Sequence, residues 1–308
     1  MWRYVATRLL QGAAVIFLVA TATFLILRLT PGNPIDVLVG EAEVTPEQVA
    51  GIKQLWGLDR PWYEQYLTWL GNMARGNFGV SVIRTGVPVG TMLAQAAPVT
   101  ITLNIAALVA SVAIAIPVGI LAGIRRYSAL DYLGTVGATL GVALPSFWVS
   151  LMAIILFAVK LRWLPPFGLH SWSGYILPAA VLATEQTAVL TRMMRGSVAS
   201  VLHQDYVRTG RAKGLPEAAV VLRHAVRNAL LPVITVLGYR MAFLLSGTII
   251  VETVFALPGI GRLLTDSVYH LDYQVVQAIA LLLAVIVVVA NIATDLVYAL
   301  VDPRIRIG

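Results

Sequence analysis

Ile101-Thr102-Leu103-Asn104-Ile105-Ala106-Ala107-Leu108-Val109-Ala110-Ser111-Val112-Ala113-Ile114-Ala115-Ile116-Pro117-Val118-Gly119-Ile120-Leu121-Ala122-Gly123-Ile124 carries no charged side chain, and the uncharged stretch reaches back to Thr85. A helix needs about 20 apolar residues to cross the hydrocarbon of a bilayer. This run has that length and is too long for a strand. A transmembrane barrel would show short alternating segments instead. A helix satisfies its own backbone groups in lipid.

The same pattern recurs along the chain. Leu9 to Leu27, Tyr132 to Val159, Trp163 to Thr184 and Tyr273 to Thr294 are also free of charge. Of 308 residues, 58% are hydrophobic and 12% charged, about half the charge of a soluble protein. The mean hydropathy is +0.82. The expected fold is an all-α membrane protein with six transmembrane helices, near 9–29, 98–124, 131–160, 174–194, 229–251 and 276–300. Arg3 and Arg8 followed by an apolar run mimic a signal peptide, with Ala20-Thr21-Ala22 in place of a cleavage site. The run continues through Phe24-Leu25-Ile26-Leu27, which reads as an uncleaved first span.

Charge sets the orientation. With the N-terminus inside, the basic residues of the short inner segments are Arg3, Arg8, Arg125, Arg126, seven from Arg192 to Arg227, Arg304 and Arg306. Most outer ones lie in or beside one long segment, where the bias rule is weak. Both termini are therefore expected on the cytoplasmic side, and the net charge of +7 reflects this asymmetry rather than nucleic-acid binding. The chain divides into a cytoplasmic N-terminus with a first span (1–29), an extracytoplasmic segment (30–97) and a five-helix core (98–308) with a cytoplasmic loop at 195–228.

Segment 30–97 opens on the turn Pro31-Gly32-Asn33-Pro34. Thr45-Pro46-Glu47-Gln48 reads as a helix start. Tyr63, Tyr66, Leu67 and Leu70 follow at helical spacing, and Gly76, Gly79 and Gly86 break the pattern. A cap on the outer membrane face and a docking surface for an external partner both fit. Pro117 and Pro145 fall inside spans and predict kinks. Gly119-x-x-x-Gly123 and Gly137-x-x-x-Gly141 allow close helix approach. Glu185 and Arg240 also fall inside spans, where each costs about 2.5–3.5 kcal/mol at mid-bilayer unless it faces protein or water. They form either a buried pair between two helices or part of a solute pathway.

No enzyme chemistry is legible. Cysteine is absent, and His170, His203, His224 and His270 show no metal-ligand spacing. The three lysines, Lys53, Lys160 and Lys213, follow Ile52, Val159 and Ala212, so none completes a phosphate-binding Gly-Lys-Ser/Thr loop. No catalytic or metal residue is assigned. A transporter built on this chain must draw ATP hydrolysis from another subunit, and no internal repeat suggests a secondary carrier.

The polar stretch Asp205-Tyr206-Val207-Arg208-Thr209-Gly210-Arg211-Ala212-Lys213-Gly214-Leu215-Pro216-Glu217 stands between two apolar spans. Gly214 permits a sharp turn, and Pro216 with Glu217 suits the start of a new helix. The spacing predicts helix, glycine break, helix. An ordinary positive-inside loop with an interfacial helix fits as well as a docking element for a motor.

Asp205 to Gly214, followed by Arg227-Asn228-Ala229-Leu230-Leu231-Pro232, resembles the cytoplasmic loop of ABC importer permeases of the dipeptide, oligopeptide and nickel branch. Leu58-Asp59-Arg60-Pro61, Gly76-Asn77-Phe78-Gly79, Val251-Glu252-Thr253-Val254-Phe255-Ala256-Leu257-Pro258-Gly259-Ile260-Gly261-Arg262 and Asp302-Pro303-Arg304 agree with that branch. The general importer pattern Glu-Ala-Ala-x-x-x-Gly is replaced by Arg208, Thr209 and Gly210, with Gly214 kept. The resemblance implies a type I importer architecture. It implies a second homologous permease, two ATP-binding-cassette ATPases and an extracytoplasmic solute-binding protein as partners, besides membrane lipid. Asp205, Tyr206, Arg208, Thr209, Gly210, Arg211, Ala212, Lys213, Gly214 and Glu217 would seat on an ATPase. This chain would bind no cofactor, and ATP and Mg would be used by the ATPase subunits. The implied location is the bacterial inner membrane and the implied cargo di- or oligopeptides, with nickel or glutathione as alternatives. A channel or carrier that needs no ATPase is the reading from a different class.

Overall fold

The computed structural model describes residues 2–29, 59–81, 83–84 and 86–301, the side chains at 2–5, 28, 235, 238–247 and 295–301 excepted. In chain order the helices are α1 (Trp2–Leu29), α2 (Trp62–Ala74), α3 (Val89–Ile124), α4 (Ala129–Ala143) and α5 (Ser146–Ala153), which continues as a π-helical stretch Ile154–Lys160. Next come α6 (Ile176–Val201), α7 (Asp205–Ala212), the single turn α8 (Glu217–Ala219) with a π-helical stretch Val220–Val226, α9 (Arg227–Val254), α10 (Ile260–Tyr269) and α11 (Tyr273–Val301). The described residues hold no strand beyond an isolated bridge between Val80 and Pro88. The expected helix start at Thr45 lies outside the described residues.

Three helices are long and apolar enough to cross a membrane: Ala6–Leu27, Val89–Ile124 and Tyr273–Thr294. A fourth crossing arises if α4 and Ser146–Lys160 form one broken span. Helices α6 and α9 have the length, at 26 and 28 residues. The all-α membrane class stands, while the count of six spans is not reached on apolarity alone among the described residues. Helix α6 explains part of the shortfall, because it carries Glu185, Arg192 and Arg195.

The third expected span is corrected. It is not one kinked helix over 131–160 but two helices meeting at 105°. Leu144 adopts an extended conformation (φ −83°, ψ 127°), as a residue before proline prefers, and Pro145 has no N–H for the ladder. Pro117, in contrast, lies within the continuous helix α3. That helix also begins at Val89, inside the segment expected to be extracytoplasmic. At 36 residues it is about 54 Å long, well beyond the roughly 30 Å hydrocarbon core.

The chain forms two compact units. One comprises the described residues up to Val99 together with Pro258–Val289. Within it, Phe24 of α1 packs edge-on against Tyr66 of α2 at 5.2 Å, and the Tyr66 hydroxyl is 2.7 Å from Thr21 Oγ1. This explains the aromatic spacing read from the sequence. Gly76, Gly79 and Gly86 all take positive φ (+75°, +77°, +82°), so they end α2 and build the following turns. The Ser81 hydroxyl donates to the buried Asp272 carboxylate, and the Val80 N–H donates to Gln274 Oε1 at 3.0 Å. Beneath this clasp Val89, Met92, Leu93, Ile260, Leu263, Val275 and Ile279 form a buried apolar core.

The other unit comprises Thr100–Leu257 and the chain from Ala290. Its core gathers Ala115, Leu190, Met194, Val198, Val221, Val226, Ala229 and Val233 around α6. The first glycine pair acts as expected. A Cβ on Gly119 would lie 2.6 Å from the Met194 Cβ, and one on Gly123 would lie 2.8 Å from the Val198 Cβ. Small residues let the two helices approach this closely. Of the second pair only Gly141 is tight, 3.0 Å from the Ala188 Cβ, while Gly137 faces open space.

Candidate coupling surface and pathway residues

Helix α7 begins after Gln204, whose backbone is extended, and its buried residues are Val207, fully enclosed, and Gly210. Asp205, Tyr206, Arg208 and Thr209 are exposed, and so is every residue from Arg211 to Ala218. The anchor spacing of three residues fits a helix lying flat with one narrow face inward. Thr209 Oγ1 donates to the Asp205 carbonyl at 2.9 Å, and the Asp205–Arg208 ion pair is loose at 3.9 Å.

Gly214 adopts φ +72°, with open space where a Cβ would sit. Its requirement is therefore conformational and not steric crowding. Pro216 caps α8 and Glu217 is its first residue, so helix, glycine break and helix follow in the expected order. The Arg211 guanidinium donates to both Glu217 carboxylate oxygens, at 2.7 and 3.0 Å, and closes the turn. That bond holds the Glu217 carboxyl below the usual glutamate range and raises Arg211 in turn. After the turn Val220, Val221, Ala225 and Val226 are buried and fix the stretch to the core of its unit. The result is an exposed, braced element on a buried base. It carries Arg208, Lys213 and the Arg211–Glu217 pair outward, with Tyr206 and Leu215 exposed beside them.

Glu185 lies on an exposed face of α6, not in the interior. Arg240 lies in α9, and its side chain is outside the described residues. The expected pairing of the two therefore falls outside the described side chains.

Two buried polar contacts escaped the sequence reading. Asp131, 3% exposed, accepts two hydrogen bonds from Arg195, that from Nη2 at 2.8 Å, and a third from the Tyr127 N–H at 2.9 Å. Glu252, fully buried, accepts from Thr100 Oγ1 at 2.6 Å. Thr248 donates to Asn104 Oδ1 at 3.0 Å one turn along. A signal existed for the first: Ser128 stands three residues before Asp131 and its hydroxyl caps the helix there. Nothing in the local pattern marks the second, since Glu252 and Thr100 are 152 residues apart.

Comparison with known proteins closes the question of family. "Binding-protein-dependent transport system inner membrane component" matches residues 115–307, and the corresponding N-terminal family matches residues 1–112. The chain is 38% identical over 316 residues to the oligopeptide transport system permease protein AppB of Bacillus subtilis, covering 99% of this chain and 100% of that protein. It is 39% identical over 306 residues to the glutathione transport system permease protein GsiC of Escherichia coli K12, covering 99% of both chains. A putative peptide permease protein of Brucella suis is 38% identical over 318 residues, the whole of both chains. ATP hydrolysis lies in separate subunits of such systems, so this chain is not itself an enzyme. With its apolar spans and full-length relatedness, the chain belongs to the inner-membrane permeases of binding-protein-dependent ABC importers, in the peptide branch of that family.

Proposed function

We propose that this permease translocates short peptides delivered from outside by a solute-binding protein. The observation that carries the reading is full-length relatedness to the oligopeptide permease AppB, at 38% identity. Relatedness to a glutathione permease favours the same chemistry, because glutathione is itself a tripeptide. The chain crosses the membrane six times with both termini inside, and 195–228 faces the cytoplasm. It pairs with a second homologous permease. Two ATPases use ATP and Mg, and one of them receives Asp205 to Glu217.

Coupling follows from the loop's construction. A ligand shifts a two-state equilibrium only through unequal contacts with the two states. The braced turn at Gly214 gives an ATPase a rigid element to move, and the stretch Val220–Val226, anchored by its buried Val220, Val221, Ala225 and Val226, passes that movement into α9. Glu185 and Arg240 serve the solute pathway in this scheme.

The test is purification of the tagged protein from native membranes in mild detergent, with mass spectrometry of co-purifying chains and bound small molecules. A second permease, two ATPases, a solute-binding protein and a bound peptide are expected. A chain recovered alone, and still transporting without ATPases after reconstitution, would overturn the reading in favour of a channel or carrier.

A further inference from the structure

Arg125-Arg126-Tyr127-Ser128 joins α3 to α4 and turns three side chains outward. Arg125, Arg126 and Tyr127 are all exposed, Tyr127 at 80%. Tyr127 holds φ +62°, a conformation that a bulky residue rarely adopts. Its N–H donates to Asp131 at 2.9 Å, and Asp131 is gripped in turn by Arg195 of α6. The Ser128 hydroxyl donates to the Arg125 carbonyl at 2.6 Å. The turn is therefore fixed by its surroundings, which hold its shape against local strain. Asp131 is the only carboxylate between Ile101 and Thr184, and it is buried and occupied. Among the described residues neither the Arg125 nor the Arg126 guanidinium has a hydrogen-bonded or ionic partner. The corner thus presents positive charge that nothing beside it offsets.

Next to the corner lies an apolar surface of one leaflet's depth. Leu130, Leu133, Val136 and Leu140 are exposed on one side of α4, Leu133 at 72%. From Leu130 to Leu140 is about 15 Å along the axis, half of the roughly 30 Å hydrocarbon core. Helix α3 runs alongside: a Cβ on Gly134 would lie 3.5 Å from Val118 Cγ1 and 3.8 Å from the Ala122 Cβ. Val118 and Leu121 of α3 are exposed, whereas Gly119 and Gly123 are covered by Met194 and Val198 of α6. Gly137, with nothing within 4 Å of where a Cβ would sit, leaves a hollow in the α4 surface between Leu133 and Leu140.

We propose that this corner is a binding site for an anionic phospholipid. The phosphate sits between the Arg125 and Arg126 guanidinium groups, with the Tyr127 ring at the level of the glycerol. One acyl chain follows α4 past Leu133 into the hollow at Gly137. Charge selects the occupant: basic pockets at the ends of membrane helices collect anionic head groups, and aromatic rings settle at the interface. A zwitterionic lipid offers the same phosphate but brings its own cation, which two unpaired arginines repel. Depth selects a lipid over a soluble anion, because the apolar surface continues from the charges for the thickness of a leaflet. The site is independent of the cargo.

The test uses the assembled permease–ATPase complex in nanodiscs of phosphatidylcholine and phosphatidylglycerol in equal amounts. Leu133→p-benzoylphenylalanine is photoactivated, and its adducts are identified by mass spectrometry. Phosphatidylglycerol adducts should exceed phosphatidylcholine adducts by about tenfold. Arg125→Gln with Arg126→Gln should abolish that preference. Arg125→Lys with Arg126→Lys, which keeps the charge, should retain most of it and covers the case of poor assembly by the glutamine pair. A wild type that takes both lipids equally, or a glutamine pair that keeps the preference, would overturn the site. Adducts to a neighbouring protein chain would also overturn it, and would assign this face to a subunit interface.

Discussion

Arg211 and Glu217 join across the turn at Gly214 through two hydrogen bonds, Nη2 to Oε1 at 2.7 Å and Nε to Oε2 at 3.0 Å. Both side chains are substantially exposed, so the pair adds little to global stability. Its effect is local: it sets the angle between α7 and α8. Arg211→Glu and Gly214→Pro should each keep the protein folded and assembled while ATP hydrolysis continues without uptake. The double swap Arg211→Glu with Glu217→Arg should recover part of the coupling if the brace is the function. Transport per ATP hydrolysed, measured in proteoliposomes, decides it. Normal coupling in both single variants removes the role assigned to this turn.

The same pair gives a pH expectation. Because its folded pKa is depressed by Arg211, Glu217 contributes stability above the ordinary glutamate range and loses it as pH falls through the lowered value. Hydrogen exchange at Lys213, Gly214 and Leu215, corrected for intrinsic rate, should therefore be flat from neutral pH down through mildly acidic conditions. Glu217→Gln should show faster exchange over that whole window. A wild-type loop that loosens near neutral pH contradicts the sign.

Gly119 and Gly137 separate two kinds of helical glycine. Gly119→Ala forces a Cβ to within 2.6 Å of Met194 and 2.9 Å of the Thr191 carbonyl, which needs α3 and α6 to move apart. Overpacking of this type costs about 1–3 kcal/mol. Gly137→Ala meets nothing within 4 Å and should gain up to about 1 kcal/mol from helix propensity. Thermal midpoints in the same detergent should move in opposite directions. Equal midpoints would show that the close approach is not maintained.

Asp131 holds three donors at once, and Arg195→Ala would leave its carboxylate buried beside only Tyr127, Thr135 and the helix start. The expected loss is about 2 kcal/mol, below that of a fully buried pair because Arg195 is about one-third exposed. Tyr127 sits at φ +62°, and its N–H bond to Asp131 helps to hold that conformation. Asp131→Ala should therefore loosen residues 125–131 beyond what Arg195→Ala does. Limited proteolysis of the two variants reads the difference.

Pro145→Ala restores a backbone donor at the corner between α4 and α5. Spin labels at Leu133 and Phe157 should move apart as the bend opens from 105°. An unchanged distance would assign the bend to packing against neighbours instead of the proline.

Class and local shape were legible because they depend on short-range rules. Uncharged runs gave the spans of α1, α3 and α11, and the Gly214 turn follows from one residue's freedom at positive φ. A kink at Pro145 was legible, but not that it would be a full break of 105° while α3 passes Pro117 unbroken. The difference rests on what surrounds each proline. The Asp131–Arg195 and Thr100–Glu252 contacts join residues 64 and 152 apart, and no local pattern reports such distances. The span expected over 174–194 runs on as α6 to Val201, into the start of the segment read as loop, because nothing in Arg195-Gly196-Ser197-Val198 stops a helix that is packed on one face.

The corner at Leu144 has a further consequence for biosynthesis. Helix α4 is 15 residues long, and Ser146–Lys160 is the same length, so neither half alone reaches the roughly 20 residues that a crossing requires. The last carbonyls of α4, ahead of Pro145, have no intrahelical donor and cannot be left against lipid tails. The two halves must therefore leave the insertion machinery together, with protein already covering the corner. A chain that meets no partner soon after synthesis would present unsatisfied backbone within the bilayer, a mark by which quality control can tell an orphan subunit from an assembled one.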